Sequence, residues 1–272
     1  MKTTYRLMVV FAVALVLVAG TACSKLQARD HLNKGVQAYK NAKYELAIDH
    51  FQKAVALDPT LINARLYLAT AFAQQYIPGA DNPENNKNGD EAIDQYKQVL
   101  QTDPKNINSI KGIAYLYLQM KKFELAKEYY KKASDADPND PEPYYSVAVI
   151  DWTQTYQPRQ EARAQLGMKP DDSLPAKDKK VCAEVKEKNS ANVQEGIDNL
   201  NKALQLRPDY DDAMAYMNLM YRERADIQCD DKEAHAADLK TADEWVDKTM
   251  ATKKLKAEKQ PSSGGIVMDQ KQ

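Results

Sequence analysis

Glycine and proline are scarce in this chain, with 9 and 12 copies among 272 residues. A turn-rich β-sandwich or a collagen-like chain would need more of both. Clusters of valine and isoleucine are also rare beyond the first 20 residues, whereas alanine, lysine, leucine and tyrosine are common. This composition favours an all-α protein.

Excess charge is also lacking, because the formal net charge is −1 and acidic and basic residues are interleaved. A nucleic-acid binder needs a basic stripe to neutralise phosphates, and none is present. The sequence contains no phosphate loop, dinucleotide fingerprint, Gly-x-Ser-x-Gly elbow or zincin His-Glu pair. We therefore predict no nucleic-acid binding, no enzymatic activity and no cofactor.

The sequence shows no arrangement of residues that is typical of a metal site. The three histidines, His31, His50 and His235, are scattered along the sequence, and we interpret His50 as a surface residue. The asparagine-rich segment from Glu84 is similar to the start of a calcium-binding loop, but Gln95 occupies the position of the bidentate acid. We therefore predict no metal site.

The N-terminus predicts export from the cytoplasm. Lys2 and Arg6 precede an uncharged run from Leu7 to Gly20. A basic start followed by such a run is typical of a secretory signal peptide. The run is shorter than the ~20 apolar residues that comfortably cross a bilayer. An ordinary cleaved signal and an uncleaved anchor remain alternatives on these features alone.

Residues 19–24, Ala-Gly-Thr-Ala-Cys-Ser, resemble the lipobox of bacterial lipoproteins. In that family, cleavage precedes the cysteine, which is then acylated; here a glycine stands where the motif usually has leucine. The resemblance implies a signal peptide over 1–22, acylation of Cys23 and a short tether over 23–27. Because Ser24 is not the aspartate that retains enterobacterial lipoproteins at the inner membrane, it implies a periplasm-facing lipoprotein, in the outer rather than the inner membrane.

An internal repeat accounts for most of the remaining chain. Four prolines that end helical patterns are spaced by 45, 34 and 70 residues: Pro59, Pro104, Pro138 and Pro208. A period of about 34 residues, lengthened by insertions, is typical of the tetratricopeptide repeat. Small and aromatic residues recur where paired helices would touch: Gly35, Ala47, Phe51 and Ala54; Ala69, Ala92, Tyr96 and Val99; Ala114, Ala126, Tyr130 and Ala133; Ala148, Gly196, Leu200 and Ala203.

The pattern resembles the tetratricopeptide-repeat family over about residues 28–225. The resemblance implies an all-α solenoid of about five helix pairs, which we place over residues 28–256 and follow with a disordered tail over 257–272. Two long insertions, near 77–90 and 157–192, fall between the helices of a pair. The first is dense in turn formers.

In the second insertion, apolar residues recur at near-helical spacing. This spacing predicts a long helix from about Ala176 to Leu206, which we expect to project beyond the solenoid body.

Two cysteines remain if Cys23 is acylated. Cys182 and Cys229 lie in corresponding segments of neighbouring repeats, which should emerge on the same edge of the stack. In an oxidising compartment an even pair of this kind favours a disulfide, with two unpaired thiols as the alternative.

The family resemblance implies a partner-binding groove lined by the first helix of each pair. Four aromatic residues occupy groove positions: Tyr39, Tyr115, Tyr145 and Trp152. Aromatic residues dominate interface hot spots, although packing between helices is the alternative role. The sequence thus predicts an envelope scaffold that binds other proteins or peptide segments, with outer-membrane and pilus assembly as candidate processes. A small-ligand carrier or a regulatory subunit of an envelope enzyme is the alternative.

Overall fold

A computed structural model describes residues 23–169 and 172–259. The predicted signal peptide, residues 1–22, and residues 260–272 of the predicted tail lie outside this part of the chain. The described residues form helices and turns without a strand, so the all-α prediction is confirmed. None of the helices in these two ranges has the length and apolar character that a bilayer-spanning segment needs.

The chain divides into two compact units after Ala136. The first contains α1 (23–40), α2 (Tyr44–Leu57), α3 (Ile62–Gln75), α4 (Pro83–Thr102), α5 (Ile107–Gln119) and α6 (Phe123–Ala136). The second contains α7 (Pro141–Gln165), α8 (Leu174–Lys177), α9 (Lys179–Leu206), α10 (Asp211–Asp226) and α11 (Lys232–Lys259). The pairs within the described ranges are α1/α2, α3/α4, α5/α6, α7/α9 and α10/α11.

The repeated small and aromatic positions form the contacts within and between helix pairs. Ala47, Phe51 and Ala54 of α2 are fully buried, and the corresponding residues of the later pairs are buried too. A Cβ atom on Gly35 would lie 2.4 Å from the Phe51 ring, and one on Gly112 would lie 2.7 Å from the Tyr96 ring. Glycine at these positions lets the helix backbone approach an aromatic ring closely.

The insertion near 77–90 is mostly helical, because α4 begins at Pro83. The Asn82 side chain caps this helix by accepting a hydrogen bond from the Asn85 amide, and proline at the first helical position needs no partner for its nitrogen. The buried Asn85 side chain in turn bonds to both backbone groups of Ile77. Some residues that the sequence predicted to form turns, such as Asn82 and Pro83, therefore cap and begin a helix instead.

The second insertion is built from three helical pieces. α7 continues to Gln165, α8 forms one turn, and α9 starts after Asp178, whose side chain caps it. The expected long helix is present, but its first half does not project alone. Cys182, Val185 and Asn189 are buried there, and the Asn189 amide donates to the Thr155 carbonyl of α7 over 2.8 Å.

Both predicted ends of the solenoid are extended by helix. Residues 23–27, predicted as a tether, are helical and belong to α1. α11 continues to Lys259, beyond the predicted boundary at residue 256.

Candidate partner-binding surface

The two groove candidates of the first unit lie on different helices. Tyr39 is half-buried on α1, and its ring meets that of Tyr44 edge-on at 5.3 Å. Burial raises the pKa of the Tyr39 phenol. Tyr115, on α5, is 52% exposed and is thus available for contact with a partner.

In the second unit the two remaining candidates belong to one continuous row of aromatic rings. Tyr145 and Trp152 of α7 both contact Tyr216 of α10, at centroid distances of 5.5 and 5.6 Å. Tyr210 extends the row beside Tyr145 at 4.9 Å, and Tyr156 extends it beside Trp152 at 5.0 Å. We call these five residues the aromatic row.

Helix periodicity explains why the row forms. Tyr145, Trp152 and Tyr156 are spaced by seven and four residues, so they share one face of α7. That face packs against α10, where Tyr216 fills the space between Tyr145 and Trp152. The spacing on α7 was visible in the sequence, whereas the contribution of Tyr210 and Tyr216 depended on the pairing of helices and was missed.

The row combines apolar faces with polar tips. Burial raises the pKa of Tyr145, Tyr210 and Tyr216, and the carboxylate of Asp212 adds to the effect in each. A tyrosine phenol is already protonated at neutral pH, and these shifts favour the protonated form further, so the three hydroxyls can donate hydrogen bonds. The Arg207 guanidinium lies 4.4 Å from the centre of the Tyr210 ring, within the range of cation–π attraction.

Exposure separates the members of the row into two groups. Tyr156 is 39% exposed. Tyr145 and Trp152 are half-buried and pack against the core of the second unit. Tyr156, which we call the outer end of the row, can therefore touch a partner directly. Tyr145 and Trp152 also stabilise the fold. The packing alternative considered from sequence thus applies in part to these two residues.

A buried ion network lies next to the outer end of the row. Arg159 contacts Glu223 over 3.2 Å and Asp226 over 3.1 Å, and Arg163 contacts Asp226 over 3.3 Å. This network was not predicted from the sequence, because its members come from the second insertion and from α10. Tyr156, Arg159, Arg163 and Asp226 also line a pocket of about 700 Å³.

Because the pKa of the Glu223 carboxyl is raised in the folded protein, we expect the stability of the protein to depend on pH. Burial raises its pKa from 4.5 to about 7, with Asp226 adding to the shift and the two arginines opposing it. Between these values the unfolded chain has lost the proton that the folded chain retains, so the free energy of unfolding should fall as pH rises through this window. Glu223→Gln should remove this part of the dependence and be more stable than wild type above pH 7. Urea unfolding of both proteins at pH 5 and pH 8 measures this, and an unchanged pH dependence in the variant would contradict it.

The cysteines occupy two different environments. Cys182 and Cys229 are joined by a disulfide, with Cα atoms 5.6 Å apart, between the start of α9 and the loop after α10. Cys23 is a free, exposed cysteine at the first described position. The described residues contain no group of three or more histidine, cysteine or acidic side chains arranged to hold a metal ion.

Comparison with known proteins agrees with this architecture. Residues 86–150 match the family model of the tetratricopeptide repeat. The crystal structure of MamA protein superposes on 88% of this chain and 98% of its own, with a TM-score of 0.58 and 11% identity. A MamA segment from Desulfovibrio magneticus RS-1 covers 84% of this chain and 96% of its own, with a TM-score of 0.54 and 15% identity.

A third structure, YrrB, is described as a TPR protein with an unusual peptide-binding site. It covers 85% of this chain and 91% of its own, with a TM-score of 0.51 and 15% identity. No curated protein is similar enough in sequence to match. At these identities the likeness shows the fold alone, and it confirms the predicted α-solenoid class.

Proposed function

We propose that this chain, whose residues 86–150 match the tetratricopeptide-repeat family model, is a non-catalytic scaffold of the bacterial cell envelope, anchored through acylated Cys23 and facing the periplasm. It holds segments of other envelope proteins. The outer membrane is its proposed location, and outer-membrane or pilus assembly are the processes in which such a scaffold would act.

The aromatic row is the observation that carries this proposal. It brings together five adjoining aromatic rings, four of them tyrosines, and the ring of Tyr156 at one end is 39% exposed. Aromatic side chains provide large contact area for little lost rotamer entropy, which suits binding of an extended or helical segment. The peptide-binding site named for YrrB supports the same kind of partner.

The proposed lipid anchor predicts that Cys23 carries a fatty-acyl modification. In a bacterial host, metabolic labelling with a fatty acid should mark the protein, and Cys23→Ala should abolish the label. A variant bearing Cys182→Ala and Cys229→Ala is the matched control, because it removes the other two cysteines and should keep the label. Labelling that persists in Cys23→Ala would overturn the lipoprotein assignment.

Partner capture should depend on the exposed aromatic residues. Tyr156→Ala and Tyr115→Ala should each weaken binding by about 1–2 kcal/mol, or roughly 5- to 30-fold, since truncation of an aromatic hot spot has effects of this size. A photoreactive residue at position 156 would first identify the partner by cross-linking. The affinity of each variant for the purified partner is then measured, together with its thermal unfolding.

The burial of each side chain decides which variants are useful as controls in the binding experiment. Trp152→Ala is expected to melt earlier as well, since its ring packs on the core of the second unit, so it cannot separate binding from folding. Met250→Ala is a better control, because Met250 is 65% exposed on α11 and lies outside the row. Full affinity in both tyrosine variants with normal melting would place the binding surface elsewhere.

The pocket beside Arg159 and Arg163 favours a second candidate function, a carrier for a small ligand. Its volume of about 700 Å³ is within the range of ligand sites, and it combines an aromatic side chain with polar groups. Native mass spectrometry of the protein purified from membranes distinguishes the two functions, because a carrier should retain a bound metabolite and a scaffold should not.

A further inference from the structure

A cleft with apolar walls lies between α4 and α6 in the first unit. Its volume is about 500 Å³, which is within the range of ligand sites. The apolar part of its lining comes from the two helices and from the segment that joins α4 to α5: Leu100, Pro104, Ile110 and Ala136. Because α4 and α6 are the second helices of their pairs, this cleft is distinct from the groove expected on the first helices.

Three exposed lysines surround the opening of this cleft. Lys97 lies on α4, Lys105 follows α4, and Lys132 lies on α6. Among the described residues that line the cleft, Asp135 is the only acid, and Lys131 is 3.3 Å from its carboxylate. The cleft is therefore positively charged, although the whole chain has a formal net charge of −1. We call it the lysine cleft.

Two tyrosine rings hold the lysines of the opposite walls in place. The Lys97 ammonium donates to the Tyr117 hydroxyl over 3.2 Å. The Lys132 ammonium lies 4.3 Å from the centre of the Tyr129 ring, which packs against Tyr117 at 5.7 Å. A hydrogen bond to Glu128 is the main reason why the pKa of Lys132 is raised, whereas burial and the charge of Lys97 act in the opposite direction. The two ammonium groups are thus close enough to repel each other, and an anion between them would offset this repulsion.

The shape of the lysine cleft favours a peptide over a membrane surface. Ile110 is only 3% exposed at its base, so a flat bilayer surface cannot reach this residue. A single apolar side chain can enter the cleft. If acidic residues flank that side chain, their carboxylates meet the lysines of both walls, and such charge complementarity selects the partner and fixes its position.

We propose that the lysine cleft binds an acidic peptide segment of a partner protein. One apolar side chain of the segment packs on Leu100 and Ile110. Carboxylates on either side of it interact with Lys97 and Lys132. The proposal rests on the scaffold function in taking a peptide as the occupant, but it involves neither Cys23 nor the aromatic row. A scaffold with both surfaces binds segments of different chemistry in its two units.

Calorimetric titration of the full chain tests this site with a synthetic peptide that has blocked ends and a central leucine flanked on both sides by glutamates. Lys97→Gln and Lys132→Gln should each weaken binding roughly tenfold, the size expected for loss of a hydrogen bond to a charged group. Lys87→Gln should bind normally as the matched control, because Lys87 is exposed on α4 outside the cleft and loses the same charge. High salt should weaken binding to the wild type, since it screens exposed charges.

Changes in the peptide test both kinds of contact without altering the protein. Replacing its glutamates with glutamine, or its leucine with serine, should each weaken binding about tenfold or more. In methyl spectra of the wild-type chain, the peptide should shift the signals of Leu100 and Ile110 together. The signals of Leu46, which is 47% exposed on α2, should stay unchanged.

The outcomes separate the lysine cleft from the proposed scaffold function. Loss of binding in the two cleft variants, with normal binding by Tyr156→Ala, supports the lysine cleft whatever the aromatic row binds. No peptide binding, or equal binding by all three lysine variants, would overturn it and leave the cross-linking test at position 156 unaffected. Loss in Tyr156→Ala alone would place the peptide on the aromatic row. Lysine-dependent binding to phosphatidylglycerol vesicles without peptide binding would identify a membrane surface, and either of these results also overturns the proposal.

Discussion

Replacing Asp226 with alanine is expected to lower the free energy of unfolding of the second unit by about 3–5 kcal/mol, the usual cost of removing one partner from a buried ion pair. The Asp226 side chain is 9% exposed, and its carboxylate interacts with both Arg159 and Arg163. Without it, Glu223 is the remaining acidic side chain of the network, and it contacts Arg159 over 3.2 Å.

Both tryptophans of the chain, Trp152 and Trp245, lie in the second unit, so tryptophan fluorescence during urea unfolding reports on this unit directly. The control is Asp243→Ala, which breaks a shorter ion pair, 2.7 Å, between largely exposed side chains. Exposed pairs of this kind contribute up to about 1 kcal/mol. If Asp226→Ala and Asp243→Ala lower the free energy of unfolding equally, the Asp226 network contributes no more than an exposed ion pair.

Breaking the Cys182–Cys229 bridge should lower stability by a comparable amount. The bridge joins positions 47 residues apart, and the chain-entropy model gives about 4 kcal/mol for a loop of this length. Reduction of the wild type should therefore shift the fluorescence transition to lower urea concentration. A Cys182→Ala, Cys229→Ala variant should unfold near the reduced wild type and show no further change with reductant.

Alkylation provides an independent check on the same bridge. In the denatured but unreduced protein without its lipid, only Cys23 should react, because the other two of the three cysteines are bonded to each other. Reaction of all three cysteines would show that the bridge is absent from the exported protein. An unshifted transition on reduction would show that the loop adds nothing to stability.

Structural features that follow from the spacing of residues along the chain could be predicted from the sequence. The alanines, glycines and aromatic residues of each repeat were assigned correctly to the core, because packing of two helices demands small residues at fixed spacing. The long helix of the second insertion also followed from apolar periodicity, and its observed range, Lys179–Leu206, is close to the expected one.

Features that depend on which helices meet were not recognised. The contact of His31 with His50, the position of Tyr216 between Tyr145 and Trp152, and the ion network around Asp226 all join separate helices. No periodic signal marks such residues, since each has an ordinary polar or aromatic position on its own helix. Turn-forming residues were misassigned for a related reason: the Asn82–Pro83 pair caps a helix in the fold, whereas the same pair often marks a loop.

The links among α7, α9 and α10 have a consequence for how this gene can change. In most repeat arrays each repeat contacts only its neighbours through similar surfaces, so units can be duplicated or lost with little disturbance. Here a covalent bond joins α9 to the segment after α10, and buried charges on α7 require specific acids on α10. Gain or loss of a single repeat between them would leave charges and a thiol without partners. We therefore expect natural length variants to add or remove repeats in the first unit and to inherit the second unit whole.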